Sequence, residues 1–420
     1  MTACYRRLGW GLAWLTATFA PAADSVAADS PAGALLPARV QGALGGEVQV
    51  AALPGLGLRW HLDAGAAGPG LGLRAEAAGV RLRVDAVPQP AGEWRWRLAE
   101  GAVDLPAFWP VLKTKLGPPA GDWLVGGKVM LTGNGVWSPT GGLAGSVQLE
   151  LREGWARSDE LGVEVSGIEA DLASDALAGG VLPPGQSLRV ARLAAGAVTA
   201  ERLEFRFGIT AARVLELACA QLDVLGGKAR IKPLAIPLNS TQLEAGAEIE
   251  GLALSELAKL MPTAVSAARG KLSGQLQLVW DVAAGLRIND GGLAIVRSDD
   301  AVLSLAPTPG FLTGNMPARF FWLPGWLGPL TRWTAPENPA YAPLQGIEMG
   351  RIGLRIETLA VKFYPETAGG DRTATVRLLA RPVGSDLIEQ VTIDVNLAGA
   401  LARVLELGTD ERVKLRIRTE

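Results

Sequence analysis

Residues 93–100 read EWRWRLAE, and this stretch decides the fold. Trp94 and Trp96 alternate with Arg95 and Arg97, which is the period of two that a β-strand shows. In a strand, the tryptophans lie on one side of a sheet and the arginines on the other, whereas a helix would scatter both around its axis. The segment therefore predicts a strand with one apolar and one charged face.

The same alternation recurs along the chain. The segments that show it are LGLRWHLDA (56–64), VRLRVDAV (80–87), VQLELRE (147–153), RLEFRFGI (202–209), GQLQLVWDV (274–282), GRIGLRIE (350–357), ATVRLLA (374–380), VTIDVNL (391–397) and RVKLRIRTE (412–420). Gly-Gly pairs predict turns of an antiparallel meander at 126–127, 141–142, 226–227, 291–292 and 369–370. Strands that alternate with long helical segments, as a parallel α/β fold requires, are missing. We predict a mainly β protein with one elongated, strongly curved antiparallel β-sheet and a few short helices.

Three segments have apolar residues at helical spacing. They are VDLPAFWPVLKTKLG (103–117), LALSELAKLMPTAV (252–265) and LAGALARVLELG (397–408). The first two are each followed by a strand that begins near a Gly-Lys pair, about 150 residues apart, which suggests an internal duplication.

The aromatic segment 319–341, RFFWLPGWLGPLTRWTAPENPAY, is the least regular part of the chain. It can pack as a loop over one end of the sheet. Its Trp, Phe and Arg residues also suit an interfacial or lid segment at a bilayer boundary, and the sequence leaves both interpretations open.

The N-terminus has the layout of a secretory signal peptide. Arg6 and Arg7 precede an apolar stretch at 8–20, and small residues follow up to Ala28. A bilayer-spanning helix needs roughly 20 apolar residues, so a cleaved signal at 1–28 is favoured over a retained anchor. We predict export to a Gram-negative-type periplasm or cell envelope.

Composition excludes several classes of function. The net charge of −2 argues against nucleic acid as a partner, which would need a basic excess. His61 is the only histidine and lies on the polar face of a predicted strand, which argues against a Ser-His-Asp triad and excludes a two-histidine metal site. Cys219 is the only cysteine beyond the signal segment, which argues against a thiolate metal site. Acidic pairs such as Asp299 and Asp300 suit solvated turns better than a glycosidase site. We therefore predict no enzyme activity, no catalytic residue, no metal and no cofactor.

The run from Leu252 to Val296 resembles the YdbH-type branch of the AsmA-like envelope proteins. The matching features are a short helix, then GKLSGQL, then INDGGL. AYAPLQGIEMGRIGLRIE (340–357), VRLLARPVG (376–384) and VTIDVNLAGALARVLEL (391–407) are similar to the closing strands and terminal helix of that family. The resemblance is best over 244–407, and the proposed duplicate at 103–151 also fits it.

This resemblance implies an elongated, highly curved sheet around an apolar groove that carries phospholipid acyl chains between the inner and outer membranes. It also implies contact with a membrane at one or both ends, and a small outer-membrane lipoprotein that adds strands at the C-terminal edge. The chain then divides into the signal peptide, an N-terminal part of the groove at 29–250 and a C-terminal, YdbH-like part at 251–420.

A single curved sheet with one apolar face must cover that face, and acyl chains are a suitable cover. The residues expected to line the groove are Leu58, Trp60, Val84, Trp94, Trp96, Leu149, Leu151, Phe205, Phe207, Leu276, Leu278, Trp280, Leu354, Ile356, Val376 and Ile393. The residues expected to pair with a partner strand are Val413, Leu415 and Ile417. Two alternatives stay open: a ligand-free structural β-sandwich or solenoid whose apolar faces meet, and an outer-membrane-associated interaction protein.

Overall fold

A computed structural model of the chain describes thirteen stretches of it. They are residues 43–49, 57–64, 70–116, 123–160, 162–175, 180–240, 242–281, 285–295, 300–320, 336–365, 372–385, 387–398 and 415–417. The predicted signal peptide, most of the aromatic segment and most of the predicted helix at 397–408 lie outside these residues.

The strands confirm the predicted mainly β architecture. They are β1 (Ala43–Gln49), β2 (Gly57–Ala64), β3 (Leu71–Ala77), β4 (Val80–Pro88), β5 (Trp94–Asp104), β6 (Trp123–Ser138), β7 (Gly142–Ser158), β8 (Val163–Ser174), β9 (Leu182–Ala195), β10 (Val198–Ile209), β11 (Val214–Val224), β12 (Gly227–Ile231), β13 (Leu234–Pro237), β14 (Gln242–Ala253), β15 (Val265–Arg269), β16 (Lys271–Asp281), β17 (Gly285–Ile295), β18 (Val302–Leu305), β19 (Leu354–Phe363), β20 (Arg372–Pro382), β21 (Val391–Ala398) and β22 (Leu415–Ile417). All strands of the described residues belong to one sheet, and every pairing is antiparallel.

The chain order of the strands is almost the order of the sheet. From β1 to β11 each strand pairs with the next. Three pairs of segments then lie end to end in single positions: β12 with β13 beside β11, β15 with β16, and β17 with β18 beside β19. The 22 strands therefore fill 19 positions.

The sheet is open and long. β1 pairs only with β2 and β22 only with β21 among the described residues, so the two end strands do not close on each other. Nineteen positions at the usual strand spacing make the sheet on the order of 90 Å long. Shifts of register interrupt many of its strand pairs, including β4 with β5, β5 with β6, β7 with β8 and β10 with β11. Such bulges bend strands and increase their twist, so they favour a curved sheet over a flat one.

In the part of the chain that the structure describes, three short α-helices accompany the sheet. They are α1 (Leu105–Leu116), α2 (Leu254–Leu260) and α3 (Tyr341–Glu348). α1 and α2 are the two helices predicted at 103–117 and 252–265. α1 is fixed to the start of β6 by a 2.7 Å hydrogen bond, which the Trp109 indole N–H donates to the carbonyl oxygen of Trp123. α3 was missed, because its sequence YAPLQGIE contains a proline and a glycine and has little intrinsic helix preference.

Several local predictions are wrong. Gly126-Gly127 and Gly291-Gly292 are not turns but lie inside β6 and β17. Opposite Gly127 (φ +125°) the partner strand β7 carries an extra residue in a bulge at 153–154, and glycine adopts its backbone conformation there without strain. The strand predicted at 350–357 begins only at Leu354, because α3 and a bend precede it. The structure places Leu397 and Ala398 in β21, where the third helix was predicted to begin.

Buried apolar side chains form clusters along one face of the sheet. One cluster runs from β6 to β11 and a larger one from β12 to β21, and the larger one includes residues of α2 and α3. A small cluster of Val190, Ala200 and Leu203 lies in β9 and β10. The described helices cover only a small part of this face, so neighbouring strands must supply most of the burial, as they do in a strongly curved sheet.

Glu348 at the end of α3 is a buried carboxylate, only 2% exposed. Burial alone would raise the pKa of its carboxyl group, but hydrogen bonds outweigh this effect and lower the pKa. The backbone N–H groups of Leu312 and Thr313 donate to Oε2 at 2.9 and 3.1 Å, and the Thr313 hydroxyl donates to Oε1 at 2.8 Å. The ionised carboxylate thus ties the 308–316 loop to α3.

Replacing this carboxylate tests its structural role. We expect Glu348→Gln to lower the free energy of unfolding at pH 7 by on the order of 2 kcal/mol, because an amide cannot accept all three donors. Because folding lowers the pKa of Glu348, its stabilisation is present above the unfolded-state pKa and is lost as the pH falls through the folded-state value. The urea midpoints of Glu348→Gln and the native chain should therefore differ most at neutral pH and converge in acid.

Glu337→Gln, which removes an exposed ion pair with Arg319, is the control, and its urea midpoint should differ little from that of the native chain. A gap between Glu348→Gln and the native chain that is independent of pH would contradict this role.

Candidate functional site

An unbroken row of apolar residues crosses the sheet from β3 to β21. Residues directly opposite each other in antiparallel strands lie on the same face, so the register can be followed from strand to strand. The row, called the apolar row below, consists of Ala77, Val80, Val103, Val129, Leu151, Ala170, Leu188, Phe205, Ala220, Ile231, Ala247, Leu276, Gly291, Phe363, Ala374 and Leu397. No polar residue interrupts it.

A row of opposite character lies on the other face. This polar row runs from β8 to β21 and consists of Glu169, Arg189, Glu204, Gln221, Arg230, Glu248, Gln275, Gly292, Lys362, Thr375 and Asn396. Each of its members is next in sequence to a member of the apolar row. The alternation of single strands thus adds up to two continuous surfaces, one apolar and one polar.

The predicted lining residues with described side chains all share the apolar face. Trp94 and Trp96 are opposite Trp137 and Gly135. The residues whose side chains are fully buried are Trp96, Leu151, Phe207, Leu276, Leu354, Ile356 and Ile393. Those that are partly buried are Val84, Trp94, Leu149, Phe205, Leu278 and Val376. The structure brings these thirteen residues together on one surface, and their binding of lipid stays a prediction.

The remaining predicted residues are placed only through their backbone. Leu58 is opposite Val48, Trp60 is opposite Gly46 and Ala75, and Trp280 is opposite Leu243 and Leu286. Leu415 and Ile417 in β22 are opposite Val395 and Ile393. Val413 lies outside the described residues.

The apolar face is open at one end and packed at the other. In the N-terminal strands, Leu73 is 37% exposed, Trp137 39% and Leu143 52%. In the C-terminal strands, Leu354, Ala374 and Ala380 are fully buried. The exposed end, which comprises β3 to β7 around these three residues, is called the open end below.

The polar face carries several solvent-exposed ion pairs. Arg152 in β7 contacts Glu150 at 2.6 Å and Asp171 in β8 at 2.9 Å. These carboxylates raise the pKa of Arg152, chiefly through the hydrogen bond to Glu150. The hydrogen bond from Arg206 lowers the pKa of Glu204 in a similar way. Exposed pairs of this kind add little stability, but they identify the solvent side of the sheet.

Three large apolar residues also lie on the polar face, and a bulge in β7 places one of them, Trp155, there. Trp155 is 44% exposed, and its indole lies across Gly126, where a Cβ atom would be 2.1 Å from Nε1. Leu124 and Met130 of β6 are 52% and 50% exposed on this side. The extra residue of β7 opposite Gly127 puts Trp155 on this face, whereas Leu124 and Met130 follow from alternation with Val129.

A cleft of about 730 Å³ lies where β10, β11, β12 and β14 meet α2. Its walls carry charges of both signs, and most of them pair with each other. The pairs are Arg202 with Asp223, Arg230 with Glu250, and Lys259 with Glu256. Among the described residues, no group of three His, Cys, Asp or Glu side chains could hold a metal ion. In the same part of the chain, every helix is too short or too polar to cross a membrane.

The comparison with protein families agrees with this geometry. The model of the YdbH-like family, described as intermembrane phospholipid transport protein YdbH, matches residues 92–316. Because the match covers more than half of the 420 residues, the chain belongs to the YdbH-like family. The matched region begins and ends earlier than the resemblance at 244–407 and includes the duplicate at 103–151. No curated protein and no solved structure matches the chain.

One pair of neighbouring residues tests the assignment of the two faces. Leu276 in the apolar row lies between Ala247 and Gly291, whereas Gln275 in the polar row is exposed and lies opposite Glu248. We expect Leu276→Lys to lower the free energy of unfolding by several kcal/mol, roughly the cost of burying an unpaired charge. Gln275→Lys should leave the urea midpoint unchanged within error. Equal effects of the two substitutions would contradict the assignment.

Proposed function

We propose that this protein carries phospholipids between the inner and outer membranes, with their acyl chains against the apolar face of the sheet. The observation that supports this proposal best is the apolar row, which continues across sixteen residues and as many strand positions. Membership of a phospholipid transport family supports the choice of cargo. A curved open sheet with such a face is a suitable groove for a chain molecule.

Acyl chains suit this face because apolar contacts are non-directional. Each methylene that leaves water contributes roughly 0.8 kcal/mol, so a chain is held by many weak and interchangeable contacts. A lipid can then slide from one strand to the next without a large barrier. Movement of this kind requires no catalytic residue, no metal and no cofactor, and we propose that the protein is not an enzyme.

The open end is the proposed place of entry. Its exposed Leu73, Trp137 and Leu143 can receive an acyl chain without rearrangement. Farther along, the side chains of the larger cluster touch each other, so a lipid must separate them as it advances. The acyl chain then packs against the apolar side chains that it has separated and keeps them out of water, so the cost of this separation is low.

The proposed location is the periplasm of a Gram-negative-type envelope, reached through the N-terminal signal. There one or both ends of the sheet contact a membrane.

Photo-cross-linking tests both the cargo and the path. A benzophenone amino acid is placed at Trp94 in the open end and at Leu278 in the packed region, both on the apolar face. Matched controls carry it at Arg95 and Gln277, the exposed neighbours on the polar face. After irradiation in cells, we expect mass spectrometry to find phospholipid on the Trp94 and Leu278 variants only.

Two results would count against the proposal. Equal labelling of both faces would show that contact with lipid is non-specific. Labelling at Trp94 without labelling at Leu278 would show a local binding site in place of a path.

The last strand is the proposed docking edge for a small outer-membrane lipoprotein. β22 pairs with β21 on one side, and no described strand pairs with its other side. An exposed edge can take up a partner's strand through backbone hydrogen bonds. We propose that Val413, Leu415 and Ile417 form this edge.

Proline at this edge tests the docking. Leu415→Pro removes a backbone donor and should abolish copurification of a partner, whereas Arg416→Ala keeps the backbone and should retain it. Affinity purification from envelope extracts measures both. Retention of the partner by Leu415→Pro would contradict docking at the β22 edge.

A further inference from the structure

The Trp96 indole is buried in the apolar face with an N–H group that has no acceptor. The residue is 9% exposed, and its Nε1 atom has no hydrogen-bond partner among the described residues. The indole of Trp109 differs, because its N–H donates to the carbonyl oxygen of Trp123 at 2.7 Å. A buried tryptophan normally finds such a partner, because an unpaired donor in an apolar site is costly.

Two glycines shape the place that the indole occupies. Gly135 lies directly opposite Trp96, and Gly145 lies directly opposite Gly135. A Cβ atom on Gly145 would be 2.8 Å from Cζ2 of Trp96, so the ring extends across β6 to β7 over backbone alone. The site thus accommodates a wide aromatic ring, and the N–H is the feature that a purely hydrocarbon side chain would lack.

The surroundings of the ring restrict what the N–H can bind. Trp96 lies in β5 within the open end, and its other register partner is Ala86. The neighbouring Arg95 and Arg97 belong to the opposite face, where both are exposed. A phosphate group would need cations on the apolar face, and the register partners of Trp96 provide none. The acceptor that fits is therefore neutral and attached to an apolar chain.

We infer that the Trp96 N–H donates a hydrogen bond to an ester carbonyl oxygen of a glycerophospholipid. The ester group is uncharged, accepts hydrogen bonds and joins directly to the acyl chains, so it can follow them into the face. This inference rests on the proposed function and adds a specificity-determining residue to it. Trp96 sets the position of the glycerol backbone near the open end and distinguishes ester-linked from ether-linked lipids.

A competition between two lipids tests the inference. Purified full-length protein is incubated with vesicles that contain equal amounts of dioleoyl phosphatidylcholine and its dialkyl ether analogue, which lacks both carbonyl groups. The bound lipid is extracted and counted by mass spectrometry. We expect about a fivefold preference for the ester lipid, the ratio that one net hydrogen bond provides.

Two variants locate the source of the preference. Trp96→Phe keeps an aromatic ring but removes the donor, so the ratio should fall to about one. Trp155→Phe changes a tryptophan on the polar face and should keep the native ratio. The ratio of ester to ether lipid bound by the native protein is measured without any variant. The test therefore holds even if Trp96→Phe folds poorly.

The outcomes separate this inference from the proposed function. Equal uptake of both lipids by the native chain, or a native ratio in folded Trp96→Phe, would overturn the inference and leave phospholipid transport intact. Failure of the native chain to bind either lipid would overturn both.

Discussion

The structure depends on one constraint: a strand of alternating residues has two unlike faces, and a single sheet leaves the apolar one without a second layer. Register then decides whether the apolar patches of separate strands join. Here they do, because the meander pairs each strand with its successor and the bulges do not break the apolar row. The chain must cover this surface by curving upon itself, by packing helices on it or by receiving a guest. The three described helices are short, so curvature of the sheet and, in the proposed function, a bound acyl chain are the principal means.

The apolar face is not uniform, and its exposure differs between the N-terminal and C-terminal strands. Exposed aliphatic and aromatic residues around Trp137 make the open end accessible, while the larger cluster packs the C-terminal strands and includes α2 and α3. The Glu348 carboxylate holds α3 to the 308–316 loop and so supports the packed region. In the proposed transport, a lipid enters at the exposed residues of the open end and then separates the packed side chains of the larger cluster. Trp96, whose indole N–H has no acceptor among the described residues, lies within the open end.

Much of this arrangement could be predicted from the sequence, because alternation is a local property. The period of two identified most strands and sorted residues such as Phe205 and Leu276 onto the correct face. Features that depend on pairing between strands could not be found in the same way. A Gly-Gly pair is typical of a turn, yet β6 continues through Gly126-Gly127, opposite a bulge in β7. α3 forms because Leu344 and Ile347 are buried against strands distant in sequence, and its own residues give little sign of a helix. The unpaired N–H of Trp96 likewise depends on glycines of two other strands.

Native mass spectrometry of the full-length protein, isolated gently from envelopes, tests the central claim most directly. The account predicts a series of masses above that of the bare chain, separated by the masses of intact phospholipids, which collisional activation releases. Because the bound chains are held by apolar contacts, Leu276→Lys protein that remains folded should carry fewer of them. A spectrum of the native chain that shows the bare mass alone, from envelopes rich in phospholipid, would contradict the account and favour a ligand-free structural role.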